Sequence, residues 1–381
     1  MLARIRWAFP SDIPSLASFF RKAYGEDTVF SSEPFLRWFF GSERDTSHLL
    51  SVIAVDRSGG VVAHYGGVRS EIELDGQALS LVWGVNSFTL PEHREEGLGG
   101  SLVRFLMGKY DVFGVISFTP KTAQFYEKNS FYLFDRQRFR RFVAVLDPQT
   151  LAMANLISAD VARLRDLLGE ARVPITAGAS GSQELCPESF CTRIPPSGIS
   201  HPREVRMTSR RSPDFLRWRF FSFPHPRYEA LAWPSSRDEV CAGWLVARRE
   251  RIYPTEMHMT RIVDLWGQDE KLEVLLRALL ARCRGRGDAF VDCSLFGAWC
   301  EHLLDRLGFV RLADEDVALL PQVTCPAEPR PNNDFVGLFS ERYGTRIRTV
   351  DWSEAYFTRM DSDRDRLSRR WQLDEAPREA V

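Results

Sequence analysis

The alternation of apolar and polar positions divides the chain into short strands and amphipathic helices. Val61 to Gly66 reads as a strand ending at a small residue, and Glu71 and Glu73 alternate with Ile72 and Leu74 on its continuation. Both carboxylates therefore lie on one polar face. Leu81 to Leu90 is a largely apolar run and predicts a buried strand. Behind it Leu102, Phe105 and Leu106 fall at helical spacing. Phe113 to Thr119 then predicts a strand, and Pro120 to Asn129 a short helix.

Much of this order returns later. Phe35-Leu36-Arg37-Trp38-Phe39-Phe40 recurs as Phe215-Leu216-Arg217-Trp218-Arg219-Phe220, and Val240 to Leu245 follows as Val61 to Gly66 follows the first. Thr260 to Trp266 predicts a strand, Leu272, Leu275, Leu276 and Leu279 a helix face, and Ala289 to Cys293 a later strand. Leu307-Gly308-Phe309 closes this stretch as Ser130-Phe131 closes the earlier one. Internal similarity of this kind predicts two copies of one fold.

Between the strand at Leu81–Leu90 and the helix bearing Leu102 lies Arg94-Glu95-Glu96-Gly97-Leu98-Gly99-Gly100. A helix start leaves several N–H groups without partners, and its dipole favours negative charge, so this turn suits a pyrophosphate. Glycines let the backbone approach the phosphates where a Cβ would intrude. The dinucleotide fingerprint G-x-G-x-x-G does not fit the spacing, and no Gly-Lys-Ser/Thr follows for a P-loop. The R-x-x-G-x-G-G pattern closely resembles the coenzyme A pyrophosphate loop of the GNAT superfamily of N-acetyltransferases. Phe125-Tyr126-Glu127-Lys128-Asn129-Ser130-Phe131 resembles that family's F-Y-E-K-x-G-F pattern, with Ser130 in place of the glycine. Ile5 to Ile13 with Leu16, Phe19 and Phe20 resembles its first strand and helix.

The resemblance implies an α/β fold with a mixed α+β sheet, in two tandem GNAT-like domains of which the second is degenerate at the cofactor loop. It implies acetyl-CoA or a short acyl-CoA as co-substrate, its pyrophosphate on Arg94, Glu95, Glu96, Gly97, Leu98, Gly99 and Gly100. The pantetheine and the acyl carbonyl are expected along Ser87, Phe88 and Thr89, and Tyr126 is the expected acid for the departing thiolate. The second copy offers Gly267-Gln268-Asp269-Glu270 at the loop and Leu304 at the place of Tyr126. Two carboxylates repel a pyrophosphate, so coenzyme A binding is expected in the first copy alone.

Composition narrows the setting. The 381 residues suffice for two domains, and 44% are hydrophobic. A formal charge of −1 gives no global pull toward nucleic acid or anionic membrane. No run approaches the roughly eighteen apolar residues of a membrane span, and the N-terminus lacks a signal-peptide pattern. Seven cysteines without regular spacing and scattered histidines predict a reducing, cytoplasmic setting and no metal site. Asp361-Ser362-Asp363-Arg364-Asp365 lacks the glycine and glutamate of a calcium loop. The expected domains are 1–147, a linker with a helix at 148–208, a second domain at 209–320 and a tail at 321–381.

The general base is the open point. Asn86 stands where many relatives carry a carboxylate, and it orients a water or amine without taking a proton. His64 titrates in the right range; a water wire with no single base is the other choice. The tandem layout, the Phe215–Phe220 helix start and the tail after Pro329 to Asn333 resemble N-acyltransferases of nucleotide-linked amino sugars in surface polysaccharide synthesis. Arg136, Arg138, Arg140 and Arg141 are candidates for an acceptor diphosphate. A protein or small-amine N-acetyltransferase and a non-catalytic GNAT-fold binding protein remain as alternatives, and the oligomeric state is open.

Overall fold

The computed structural model describes residues 3–41, 47–134, 137–147, 205–222, 228–234, 240–252, 255–320 and 335–363, with a few residues besides. The predicted helix at 156–168 and the Pro329–Asn333 connector fall almost wholly outside these. Described strands run β1 (Arg4–Trp7), β2 (Ser51–Val55), β3 (Val61–Leu74), β4 (Gln77–Thr89), β5 (Val112–Ile116), β6 (Arg140–Val145), β7 (Gln183–Leu185), β8 (Met207–Ser209), β9 (Tyr228–Trp233), β10 (Gly243–Arg251), β11 (His258–Gly267), β12 (Phe290–Phe296), β13 (Val310–Arg311), β14 (Val336–Phe339) and β15 (Ala355–Thr358). The main helices are α1 (Ile13–Tyr24), α2 (Glu33–Phe40), α3 (Leu98–Leu106), α4 (Pro120–Lys128), α5 (Pro213–Phe221), α6 (Asp269–Gly285) and α7 (Glu301–Arg306). No described helix is long and apolar enough to cross a membrane.

The chain forms two units. The first comprises Met1–Gln137, Asp334–Val350 and Leu367–Val381; the second comprises Arg138–Asn333 and Asp351–Arg366. These divisions differ from the sequence boundaries at both ends. Residues 138–147, expected in the first domain, lie in the second unit, and 334–350, expected in a tail, lie in the first.

In the first unit β1, β2, β3 and β4 pair antiparallel in succession, and β4 pairs parallel with β5. The crossover from β4 to β5 carries α3, as a parallel pair requires. α1 buries Ile13, Leu16, Ala17, Phe19 and Phe20 on one face and stops at Gly25. The outer edge of β5 is covered by β14, antiparallel, from the far end of the sequence.

The second unit repeats this order. β9, β10 and β11 pair antiparallel, β11 pairs parallel with β12, and α6 fills the crossover. α2 and α5 start alike: Ser32 accepts from the Phe35 amide at 3.5 Å, and Ser212 from the Phe215 amide at 3.3 Å. Here the edge of β12 is covered by β6. Each unit thus takes the closing strand that the chain writes next to the other copy.

Leu216, Trp244, Trp266, Leu276 and Leu303 lie in the main apolar core of this unit. Through it runs a buried charge network, in which Arg141 meets Asp292 at 2.7 Å and Arg211 meets Asp264 at 2.9 Å. The five described cysteines of the chain are all free and buried.

Candidate functional site

A bulge interrupts β3 and β4. His64 pairs with Phe88 and Gly66 with Val85, so Asn86 and Ser87 oppose Tyr65 alone. The extra residue bends β4. Its parallel pairing with β5 stops at Gly84 and Val115, although β4 continues to Thr89. The edge from Val85 to Thr89 is therefore unpaired on the β5 side among the described residues, and Ser87 is exposed there.

Downstream, Pro91–Glu96 forms a short 3-10 helix and Gly97 reverses the chain with φ 68° and ψ 18°. That left-handed conformation is the one glycine tolerates best. α3 then begins at Leu98, and its first amides have no partner within the helix. A Cβ at Gly99 would meet nothing nearer than Thr89 Oγ1 at 3.9 Å, so open space lies beside these amides. Arg94 donates from Nε to the Thr89 carbonyl at 3.4 Å and lies 5.8 Å from the Phe88 ring. Glu96 takes a bond from His93 at 2.6 Å, while Glu95 is exposed. Arg104, which the motif does not include, lies 3.3 Å from where a Gly100 Cβ would stand and donates to Ser101 Oγ.

Tyr126 stands next to this helix start. The ideal Gly100 Cβ is 3.4 Å from the ring of Phe125, its chain neighbour. Thr119 caps α4 through the Thr122 amide at 3.2 Å, and the helix turns Tyr126 inward to 5% exposure. Its hydroxyl lies 3.0 Å from that of Tyr65. Burial raises the Tyr126 pKa, and the bond to Tyr65 lowers it in part. Ser130 holds φ 66°, a value that explains why glycine suits this place in the family pattern.

His64 does not meet the expectation of a base. It is fully buried among Phe19, Phe20 and Phe40. Nδ1 bonds the Asn86 carbonyl at 2.9 Å and Nε2 bonds Ser51 Oγ at 2.6 Å. Burial depresses its pKa to about 4, so the ring is neutral near pH 7 with both nitrogens engaged. Asn86 itself holds φ 51°, and its Nδ2 is buried with no hydrogen-bond partner among the described residues. An orphaned donor at the mouth of an opened strand pair fits a ligand carbonyl or a bound water.

The arginine run is corrected too. Arg141 is buried on Asp292, Arg140 binds Glu301 and stacks on Trp352 at 3.8 Å, and Arg138 meets Asp314 at 3.2 Å. These three serve the second unit's own charge balance, and Arg136 lies outside the described residues.

In the second unit the corresponding helix start carries acidic residues. Asp269 is the first residue of α6, and its carboxylate bonds His302 Nε2 at 2.6 Å. A carboxylate in this first turn repels a phosphate. A Cβ at Gly267 would lie 2.6 Å from the Gly243 Cα, and Leu304 is fully buried. The glycine turn and Tyr126 expected from sequence spacing lie near one another, and Tyr65 and Arg104, which no motif marks, stand beside them across the bulge and one helical turn on.

No protein-family model matches the sequence, and no curated protein matches it. Among solved structures the chain is similar to a GCN5-related N-acetyltransferase from Anabaena variabilis, with a TM-score of 0.56 and 11% identity over 88% of this chain and 72% of that one. It is similar to a conserved protein of Enterococcus faecalis described as a probable N-acyltransferase, with a TM-score of 0.54 and 10% identity over 89% and 72%. A third is Saccharomyces cerevisiae N-myristoyltransferase with bound myristoyl-CoA, at 0.53 and 9% over 89% and 79%. At such identities the likeness is one of fold: the chain carries the GNAT fold.

Proposed function

We propose that the protein is an acyl-CoA-dependent N-acyltransferase, moving an acetyl or short acyl group to a primary amine in its first unit. The observation that supports this best is the meeting of three features at one place: an opened β4 edge, a glycine-capped helix start and a buried tyrosine hydroxyl. The amides of Leu98, Gly99 and Gly100, with Arg94 and Arg104 beside them, would hold the pyrophosphate. The edge at Ser87, Phe88 and Thr89 would hold the pantetheine and direct an N–H at the acyl oxygen, where one such donor is worth about 3 kcal/mol.

Coenzyme A supplies the thioester that makes the acyl carbon electrophilic. Asn86 orients the amine or a water beside it, and water carries off the amine proton, since His64 has no free nitrogen. As the C–N bond forms and the C–S bond breaks, Tyr126 gives its proton to sulfur. Solvent returns one, so the proton lost by nitrogen balances the one gained by the thiol.

An amino-deoxy sugar carried on a nucleoside diphosphate, for surface polysaccharide synthesis, is the acceptor class that the tandem layout favours. Release of free thiol from acetyl-CoA, followed with a thiol reagent, tests it across nucleotide amino sugars, free amino sugars, polyamines and lysine peptides. Preference for the nucleotide form is the expected result. Equal turnover of the free sugar overturns the acceptor, and preference for a peptide makes the protein a peptide N-acetyltransferase. Binding of coenzyme A without turnover of any amine would leave a binding protein.

A further inference from the structure

Tyr65 belongs to an apolar-looking stretch of β3 and carries no motif, yet it is 1% exposed and its hydroxyl is 3.0 Å from that of Tyr126. The backbone makes room for it. A Cβ at Gly84 would lie 2.5 Å from the Tyr65 hydroxyl and 2.6 Å from its ring, so a side chain there would displace the Tyr65 ring. The bulge sets Tyr65 alone opposite Asn86 and Ser87 and so orients its side chain. The ring stands edge-on to Phe113 of β5, at 5.9 Å and 70°. Around Tyr126 stand the rings of Phe118, Phe125 and Phe131. Glu127 and Lys128, its charged neighbours on α4, are exposed.

We infer that Tyr65 is a positioning residue for Tyr126: it donates its hydroxyl proton to the Tyr126 oxygen, leaving the Tyr126 proton to point at the departing sulfur. The inference rests on the reading of Tyr126 as the acid. A phenol has one proton and two lone pairs. If Tyr126 donated to Tyr65, its proton would be turned away from the thioester. The opposite polarity frees that proton and then stabilises the phenolate that remains, among phenyl rings that themselves donate no hydrogen bond to it. Tyr65 keeps its own proton throughout, and no bond to it breaks.

The test is a double-mutant cycle of Tyr65→Phe and Tyr126→Phe. Acetyl-CoA thioester cleavage would be measured with the amine panel and with hydroxylamine, a small nucleophile that needs no acceptor pocket, after subtracting the uncatalysed rate. Tyr65→Phe should lower kcat roughly tenfold to a hundredfold and leave calorimetric affinity for coenzyme A within about twofold. Added to Tyr126→Phe it should lower kcat no further, because its effect passes through the Tyr126 hydroxyl.

The same loss in both backgrounds would make Tyr65 a packing residue and overturn the inference. So would an unchanged kcat in Tyr65→Phe beside a lowered one in Tyr126→Phe. An unchanged kcat in Tyr126→Phe overturns the acid assignment first and this inference with it. If Tyr65→Phe failed to fold, as judged by melting, Gly84→Ala would displace the same hydroxyl and should reproduce the loss in kcat; wild-type kcat there would count against Tyr65.

Discussion

Nδ1 of His64 lies 2.9 Å from the carbonyl oxygen of Asn86, and this bond fixes the bulge at which β4 leaves β5. Asn86 holds a left-handed φ of 51°, which costs an L-residue about 1 kcal/mol or more. The histidine offsets that cost from one side, and Ser51 locks its ring from the other at 2.6 Å. A residue expected to move protons instead shapes the opening through which the thioester would reach them.

Its titration is therefore a stability matter. Burial holds His64 at about 4, below its ordinary 6.5, so between those values the unfolded chain binds more protons than the folded one. The contribution is full above pH 6.5 and is lost as pH falls toward 4, with a span on the order of 3 kcal/mol. Asp361 in the second unit acts in the opposite sense. Burial lifts it to about 6, so its contribution is full below 3.8 and fades as pH rises through 6. Subtracting the urea-unfolding curve of His64→Gln from that of the native protein cancels Asp361. The difference should climb between pH 4 and 6.5, and a flat difference would remove His64 from the proton balance.

Gly99→Glu separates folding from binding. The position has open space and ordinary helical backbone, so the protein should fold and melt as before. A carboxylate in the first turn of α3 stabilises the helix and repels a phosphate. Calorimetric affinity for coenzyme A should fall at least about a hundredfold, the scale of a lost charge-assisted contact. Asp269→Asn at the matching helix start of the second unit should leave affinity unchanged. The reverse pattern would move the cofactor site to the second unit.

Asp292 carries much of the charge balance in the second unit. Arg141 and Arg261 both bond it, all three are buried, and against the upward push of burial these two with Arg359 hold its carboxyl down at about 2. Asp292→Ala leaves two buried guanidinium groups short of a counter-charge and should cost about 3 to 5 kcal/mol in chemical unfolding. Asp214→Ala, which breaks the exposed pair with Arg217, should cost less than about 1 kcal/mol. Equal losses in the two variants would mean that the buried network contributes no more than the surface pair.

The order of elements in each copy was legible because it is local. Apolar spacing marks β4, α3 and α6, and the glycines at 97, 99 and 100 mark the turn between two of them. What was not legible depends on register and on distant pairing. Val61 to Gly66 looks like a plain buried strand, and one inserted residue opposite it decides that Tyr65 reaches Tyr126. Arg138, Arg140 and Arg141 read as candidates for an acceptor diphosphate, yet β6 carries Arg141 into a core whose aspartate lies about 150 positions away, and such a non-local pair has no local sequence signal. The same holds for β14, a short run beyond a Pro-rich connector, which nothing local ties to β5.

Gly337 tests that last pairing. A Cβ there would lie 2.7 Å from Leu133 Cδ2 and 3.0 Å from Val115 Cγ2, so β14 approaches β5 only because the residue has no side chain. Phe335 stacks on Phe118 at 5.5 Å and Phe339 lies 5.6 Å from Phe131, and those two partners flank Tyr126 at 5.3 and 4.9 Å. Gly337→Val should push the strand outward at a cost of about 1 to 3 kcal/mol. Amides of Val112–Ile116 should exchange faster with solvent as their outer edge opens. Thioester cleavage should drop as Tyr126 loses its aromatic walls, while coenzyme A affinity, set at the start of α3, stays within about twofold. Native exchange rates along β5 in this variant would show that the two strands do not pair, and would detach the C-terminal segment from the site.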